Sequence, residues 1–318
     1  MSSTVDHLII GAGLSGLAAA SALRSAGRSV LVLDKGRGLG GRLANRRFEG
    51  AVFDHGAQFF TARDPKFIAQ VERWRKSGVV VPWYEERGET KWRGAPTMTA
   101  LAHALADDLP IRRSIRVSRI ARGGNGWQIS CDDRSMVQAH SVILTTPSPQ
   151  ALELLSDDSF SISDDILGLL GRFSYHRCIA VMACLTHPSA LPPPGIFRSR
   201  EGPISWIADN QLKGISPTPS VTIHASPEFS KSHWNEDREE AGTRLLKYAT
   251  PILKTEVSAF QTHGWKFSQP KAAVTPPSLL VHQSPALTLA GDGFTNGRVE
   301  GAVLSGWDAA RNILDAAP

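Results

Sequence analysis

The sequence predicts an α/β chain of two domains. Three observations carry that prediction. A short apolar run, residues 5–10, feeds directly into glycines at 11, 13 and 16. An alanine-rich stretch follows and leads to a second apolar run, 30–33, that ends on Asp34. Near the other end an apolar run at 287–290 is followed by GDGFTNGRVEG and a helical pattern over 302–314. A parallel sheet begun at the start of the chain and completed at its end makes the first domain discontinuous.

The opening stretch, VDHLIIGAGLSGLAAASALRSAGRSVLVLDKG, has the order strand, glycine turn, helix, strand, acid. That is the Rossmann-like dinucleotide-binding unit. Gly11 permits the tight turn, Gly13 lets a pyrophosphate approach the backbone, and Gly16 lets helix and strand pack closely. Leu14 and Ser15 lie at the helix start, whose free N–H groups form an anion site. Asp34, with Lys35 next to it, stands where a carboxylate meets a ribose diol, as FAD or NAD carries. The next segment, GRGLGGR, has glycines that admit a phosphate or ring, including Gly41. Arg42 places a charged fork beside it.

Beyond the first unit, residues 64–78 read as a helix with Phe67, Ile68, Val71 and Trp74 on one face. Residues 96–109 read as a helix capped by Thr97 or Thr99. Short strands are expected around 115–120, 127–131 and 141–145. Strands at 172–185, 204–208 and 221–225, with a helix over 236–248, suggest a second, α+β domain with a mixed or antiparallel sheet. The proline-rich stretch 191–219 reads as loop around its strand. The expected division is 1–63 with 95–150 and 268–318 for the nucleotide domain, and 64–94 with 151–267 for the substrate domain.

Composition narrows the function classes. The chain has 318 residues, 42% of them hydrophobic, enough for two cores. Its net charge of +5 is spread without a basic tail, which argues against nucleic acid and fits a mild attraction for anionic small molecules. Cys131, Cys178 and Cys184 have no metal or disulfide spacing, and the expectation is a reducing, cytoplasmic setting. No apolar run approaches the length of a membrane span. The ten histidines form no metal motif, and Ser15 is not in a nucleophile elbow.

Three segments together resemble one family. KGRGLGGRLANRR, FDHGAQFFTARDPKF and the terminal GDGF with GRVEGA are similar to flavoproteins of the amine-oxidase-like superfamily, and within it to bacterial renalase-like proteins. The likeness is strong over 6–64 and 289–314 and patchy over 150–260. It implies FAD, with Asp34 on the adenosine ribose, Val117 by the adenine and Arg42 by the pyrophosphate; the lack of a CxxC or reactive-cysteine motif leads to the expectation that FAD is held without a covalent bond. Gly56, Ala57, Gln58 and Phe59 would pass alongside the isoalloxazine. Gly291 and Asp292 would meet the pyrophosphate and ribityl chain. Arg298, Val299, Glu300 and Ala302 would lie at the start of the last helix by the flavin.

The residues alone leave alternatives at several of these positions. Asp292 also fits a turn acid or helix cap, Glu300 a first-turn acid favoured by the helix dipole, and Gln58 an amide paired with nearby backbone. His263 and Trp265, in THGWKF, are expected over the flavin by the resemblance, or as ordinary interior residues. The family often has an arginine where this chain has Gly264. Arg63, Arg93, His263 and Lys266 are the candidates for an anionic substrate, and Trp92 lies in a stretch the family places near the flavin.

The resemblance implies an oxidase that passes a hydride to flavin N5 and then to O2, giving hydrogen peroxide. The implied donor is a 2- or 6-dihydro isomer of NAD(P)H, oxidised to NAD(P)+. The alternatives are a flavin-dependent amine oxidase, a carotenoid or lipid oxidoreductase, and a non-catalytic flavin-binding redox sensor. A monomer or weak homodimer is expected.

Overall fold

The computed structural model describes residues 2–156, 159–272, 276–295 and 297–315. Its larger sheet runs, from one edge, through Ser278–His282, Leu287–Ala290, Met136–Leu144, Ser2–Ile10, Val30–Asp34 and Ile111–Arg113. All neighbours on this path are parallel except the first pair. Met136–Leu144 serves two partners on one edge. Its first half pairs with Gly126–Cys131, which pairs in turn with Val117–Gly123, and its last residues pair with Leu287–Ala290. Leu8, Ile9, Val32, Ile143 and Leu144 are buried on both faces, as the uninterrupted apolar runs of a parallel sheet require.

One face is covered by the first helix, Leu14–Ser25, and the last, Val299–Asp315. The two helices press together at Gly306, where a Cβ would lie 2.1 Å from the carbonyl oxygen of Ser15. The opposite face buries Leu8, Leu31, Trp127 and Leu287 beneath Ala151, Leu170 and Phe173. The second sheet is antiparallel, in the order Ile196–Arg198, Ile204–Asp209, Ser220–Ala225, Tyr175–Leu185, Val257–Pro270. Helix Arg238–Leu253 covers it through Ala241, Leu245 and Ala249. Its N-cap is Asp237, whose carboxylate accepts from the Glu239 and Glu240 N–H groups.

Several elements differ from expectation. The helix Pro65–Lys76, assigned above to the substrate side, packs Phe67, Val71 and Trp74 into the nucleotide-domain core with Leu17 and Val303. Likewise Ala151, Leu155, Leu170 and Phe173, assigned to the same side, join the nucleotide sheet's other face. Periodicity identifies an apolar face but not the surface it meets. The helix Thr99–Leu105 is shorter than expected, and neither threonine caps it. Thr97 and Thr99 instead take the two amide protons of Asn45, at 2.6 and 2.8 Å. Two hairpins add to the expected elements: Asn45–Phe48 with Ala51–Asp54, and Val80–Glu86 with Glu89–Gly94. Among the described residues no helix is long and apolar enough to cross a membrane.

Candidate active site

The carboxyl ends of four parallel strands, at Ile10, Asp34, Leu144 and Ala290, open onto one cavity of about 1130 Å³. Open α/β sheets place ligands at this crevice, where the chain turns to opposite sides of the first strand. The cavity exceeds the roughly 300–1,000 Å³ of ordinary small-molecule pockets. It runs on past the nucleotide sheet to Trp206 and His224 of the second.

The glycine turn forms the near wall. Gly11 has φ +112°, and Gly16 lies so close to it that a Cβ would stand 1.9 Å from the Gly11 carbonyl oxygen. Gly13 caps the first helix without a side-chain bond, and a Cβ there would meet nothing within 4 Å. The helix therefore presents free N–H groups to open space, as an anion requires. Leu14 and Ser15 line the same wall. The carboxylate of Asp34 accepts from the N–H groups of Ala12 and Gly36, both at 2.5 Å, and so ties the two glycine loops together. Gly40 completes the tie, donating its N–H to the Ala12 carbonyl at 2.8 Å. Lys35, Gly41 and Val117 line the rim of this end.

Arg42 and Asp292 reach the cavity from opposite ends of the sequence and form a two-bonded pair, 2.7 Å on each arm. Arg42 also donates to the Ser268 carbonyl at 3.3 Å. Gly291, with φ +151°, donates its N–H to Ser305 and leaves open space above its Cα. Arg298, Val299 and Ala302 line the cavity at the start of the last helix.

At the far end, residues 56–59 form a strip along the cavity. A Cβ on Gly56 would overlap the Arg42 carbonyl oxygen at 1.9 Å and come within 3.4 Å of the Trp265 ring, so only glycine fits there. The indole N–H of Trp265 donates to the His55 carbonyl at 2.9 Å. His55 stacks on Trp265 with ring centres 5.3 Å apart, and His263 meets the edges of both. Burial and the neighbouring His263, Arg46 and His224 push His55 down to about 3. Burial pushes His224 down to about 4 and holds His263 below its ordinary value. The histidines around this wall are therefore neutral near pH 7.

The expected positions divide as follows. Gly11, Gly13, Leu14, Ser15, Asp34, Lys35, Gly41, Arg42, 56–59, Val117, Trp265, Gly291, Asp292, Arg298, Val299 and Ala302 all line the cavity. Gly16 acts behind it, by allowing close packing. Gln58 has its amide satisfied by the protein: Nε2 donates to the Asp54 and Gly56 carbonyls, and Oε1 accepts from Lys213.

Five expected residues stand away from the cavity lining, among them Arg93, which donates to the Gly94 carbonyl and packs beside Gly214. His263 sits behind Trp265. Arg63 is exposed and paired with Glu89. Trp92 exchanges both backbone bonds with Phe60 and packs on the nucleotide core. The carboxylate of Glu300 accepts from the Arg63 and Asp64 N–H groups at 2.6 and 2.7 Å, so it anchors a loop. The place left by Gly264 is filled by Trp234 and Arg238, each 3.1 Å from where a Cβ would lie.

Sequence reasoning missed Trp206, His224 and Cys178, which line the cavity, and Lys213 behind it. Burial pushes the Cys178 thiol up to about 12, so it is no nucleophile. These residues come from adjacent strands of the second sheet, and only its register brings them together. The Asp209–Asn210 pair was the one local signal, since Asp209 accepts from the Gln211 and Leu212 N–H groups in the turn that carries Lys213.

Comparisons with known proteins agree with this geometry. Residues 9–74 match the model for an NAD(P)-binding Rossmann-like domain, and residues 81–314 match that for flavin containing amine oxidoreductases. The chain is 26% identical to renalase from Mus musculus, over 94% of this chain and 95% of that one. Among solved structures, wild-type putrescine oxidase bound to putrescine superposes with a TM-score of 0.73 at 15% identity, covering 99% of this chain and 100% of that one. A triple mutant of that enzyme gives 0.75 at 15% identity, with both chains fully covered. These two likenesses show a shared fold.

Proposed function

The chain belongs to the flavin containing amine oxidoreductase family, and from that premise we propose that it oxidises an uncharged, nitrogen-bearing C–H donor with FAD and O2. FAD fits the residues present. The uncapped helix start and the open space at Gly13 suit its pyrophosphate, and Asp34 suits its adenosine ribose. The strip at 56–59, backed by Trp265, suits its flat ring. When bound, FAD supplies a two-electron acceptor that takes a hydride from the donor and delivers the electrons to dioxygen, releasing hydrogen peroxide. With no cysteine motif for attachment, the cofactor is held without a covalent bond.

The observation that carries the donor class is the charge state of the far end. Among the described residues, the carboxylates lining the cavity are Asp34, Glu153 and Asp292. None is on the strip or among Trp206, His224 and Trp265, and Asp292 is spent on Arg42. Among the described residues, a protonated amine finds no counter-ion lining this end. An amine therefore enters as the free base, with its lone pair available to the breaking C–H bond. The aromatic walls orient the donor and exclude water, and the neutral histidines place no cation against it. Free-base amines, the class named by the family, come first.

A second reading, 2- or 6-dihydro isomers of NAD(P)H, draws on Lys266 and Arg298. These exposed cations line the same cavity and suit a donor with an anionic tail. Anaerobic loss of the visible flavin band tests both. Bleaching by primary amines or polyamines, restored by oxygen, supports amine oxidation, and bleaching by the dihydro isomers alone supports the second reading. A flavin inert to both overturns the proposed donor class.

A further inference from the structure

Lys213 is wholly buried, and so is its partner, Asp54. Its ammonium donates to Asp54 Oδ2 at 2.8 Å and to Gln58 Oε1 at 3.3 Å, and lies 5.0 Å from the centre of the Trp83 ring. Asp54 is bonded on every side. Its Oδ1 accepts from the Met98 N–H at 3.0 Å, and its carbonyl accepts from Gln58 Nε2 at 2.5 Å and Thr222 Oγ1 at 3.0 Å. The groups meeting here come from the turn after Ile204–Asp209, the strand Ser220–Ala225, the hairpin strand Ala51–Asp54 and the start of helix Thr99–Leu105.

Two buried charges are costly to assemble, and apolar residues would pack the same space at least as stably. A buried pair that also spends a hydrogen bond on Gln58 has a use in fixing geometry. Gln58 is the member of the cavity strip whose side chain turns inward. Its three contacts fix the backbone between Asp54 and Phe59, and that strip already includes Gly56, pressed against Arg42 and Trp265. Lys213 belongs to the substrate sheet, whereas the strip borders the nucleotide domain.

We propose that Lys213 is a positioning residue: through Asp54 and Gln58 it locks the 56–59 strip in the cavity wall, so that the wall beside the flavin takes its shape only when the substrate sheet is docked. The inference rests on the FAD reading above. Lys213 is not among the residues that line the cavity.

The test uses the full-length chain. Lys213→Met leaves Asp54 buried without its cation, and that variant alone confounds folding with positioning. The double variant Asp54→Asn, Lys213→Met removes both charges and keeps an acceptor for the Met98 N–H. We expect the double variant to melt within a few degrees of wild type. Its FAD dissociation constant rises about tenfold, its visible flavin band loses fine structure, and KM for the bleaching donor rises more than kcat falls. Gln58→Met, with the ion pair intact, should reproduce the spectral change.

A double variant matching wild type within twofold in FAD affinity and KM, with the same spectrum, overturns the proposal. A double variant that fails to fold passes the decision to Gln58→Met, whose unchanged spectrum and affinity likewise overturn it. If wild type takes up no FAD, the cofactor reading falls and takes the proposal with it. If wild type binds FAD and the variants are unchanged, the positioning role alone falls.

Discussion

Arg42 and Asp292 clasp each other in a two-bonded ion pair, although 250 positions separate them. The pair joins the second glycine loop to the turn before the last helix, across the floor of the cavity. Its charges are partly shielded, with side-chain exposures of 32% and 11%. Each side chain is thus both a wall of the site and a brace between distant segments. Asp292→Ala leaves the guanidinium unpaired and free to swing from the cavity. We expect FAD affinity to fall about tenfold and stability by about 1–3 kcal/mol, in line with charged hydrogen bonds. Fluorescence titration with FAD and urea unfolding check the two effects.

Asp34 ties the two glycine loops together and, on the FAD reading, meets the ribose; one substitution separates the two. Asp34→Asn keeps a carbonyl for one of the Ala12 and Gly36 N–H groups, whereas Asp34→Ala removes both acceptors. The alanine variant should lose about 1–3 kcal/mol of stability without cofactor, and the asparagine variant less. Both should bind FAD at least tenfold more weakly, because neither offers a carboxylate to the ribose. Equal FAD affinity for Asp34→Asn and wild type would remove Asp34 from the ribose site.

The glycines of the first turn should respond differently. A Cβ at Gly13 meets nothing, so Gly13→Ala should leave the apo melting temperature within a few degrees while weakening FAD uptake tenfold or more. A Cβ at Gly16 collides with the Gly11 carbonyl, so Gly16→Ala should lower both stability and uptake. Thermal melts with and without FAD distinguish the two variants. Unchanged uptake by Gly13→Ala would place the pyrophosphate elsewhere.

Acid should destabilise the wall around Trp265. At pH 8 His55 and His224 are neutral in both folded and unfolded chains and contribute nothing to pH dependence. Below about 6.5 the unfolded chain protonates them, while the fold holds His55 neutral to about 3 and His224 to about 4. The unfolded state then binds more protons, and stability falls as pH drops from about 6.5 toward 4. Each histidine costs at most roughly 1.4 kcal/mol per pH unit. Urea unfolding at pH 8, 6 and 5 measures the slope, and His224→Asn should flatten it. Parallel curves for variant and wild type would refute the assignment.

How far the sequence led depends on whether each signal is local. The glycine wall of the cavity was legible because its parts lie within a few residues of one another: Gly11, Gly13 and Gly16 in one turn, and Asp34 at the next strand end. The cavity's distant wall was legible through GDGF and GRVEG, again a compact pattern. The substrate end was not. Trp206, His224 and Cys178 meet through antiparallel register in a sheet whose pairings no short motif records. Glu300 and Gln58 are polar residues in promising places, and the fold uses both to hold loops. Trp74 announces an apolar helix face but not that the face meets the nucleotide core.

The packing of Gly306 against Ser15 sets an order on biosynthesis. The glycine turn leaves the ribosome early, but the helix that backs it and Asp292, which neutralises Arg42, are translated long afterwards. Until then the first helix has an uncovered apolar side, and the parallel sheet lacks Leu287–Ala290 beside Met136–Leu144. Until these segments are made, the cavity lacks the wall they supply. On the FAD reading, a ribosome-stalled chain that stops before the last helix should remain flavin-free.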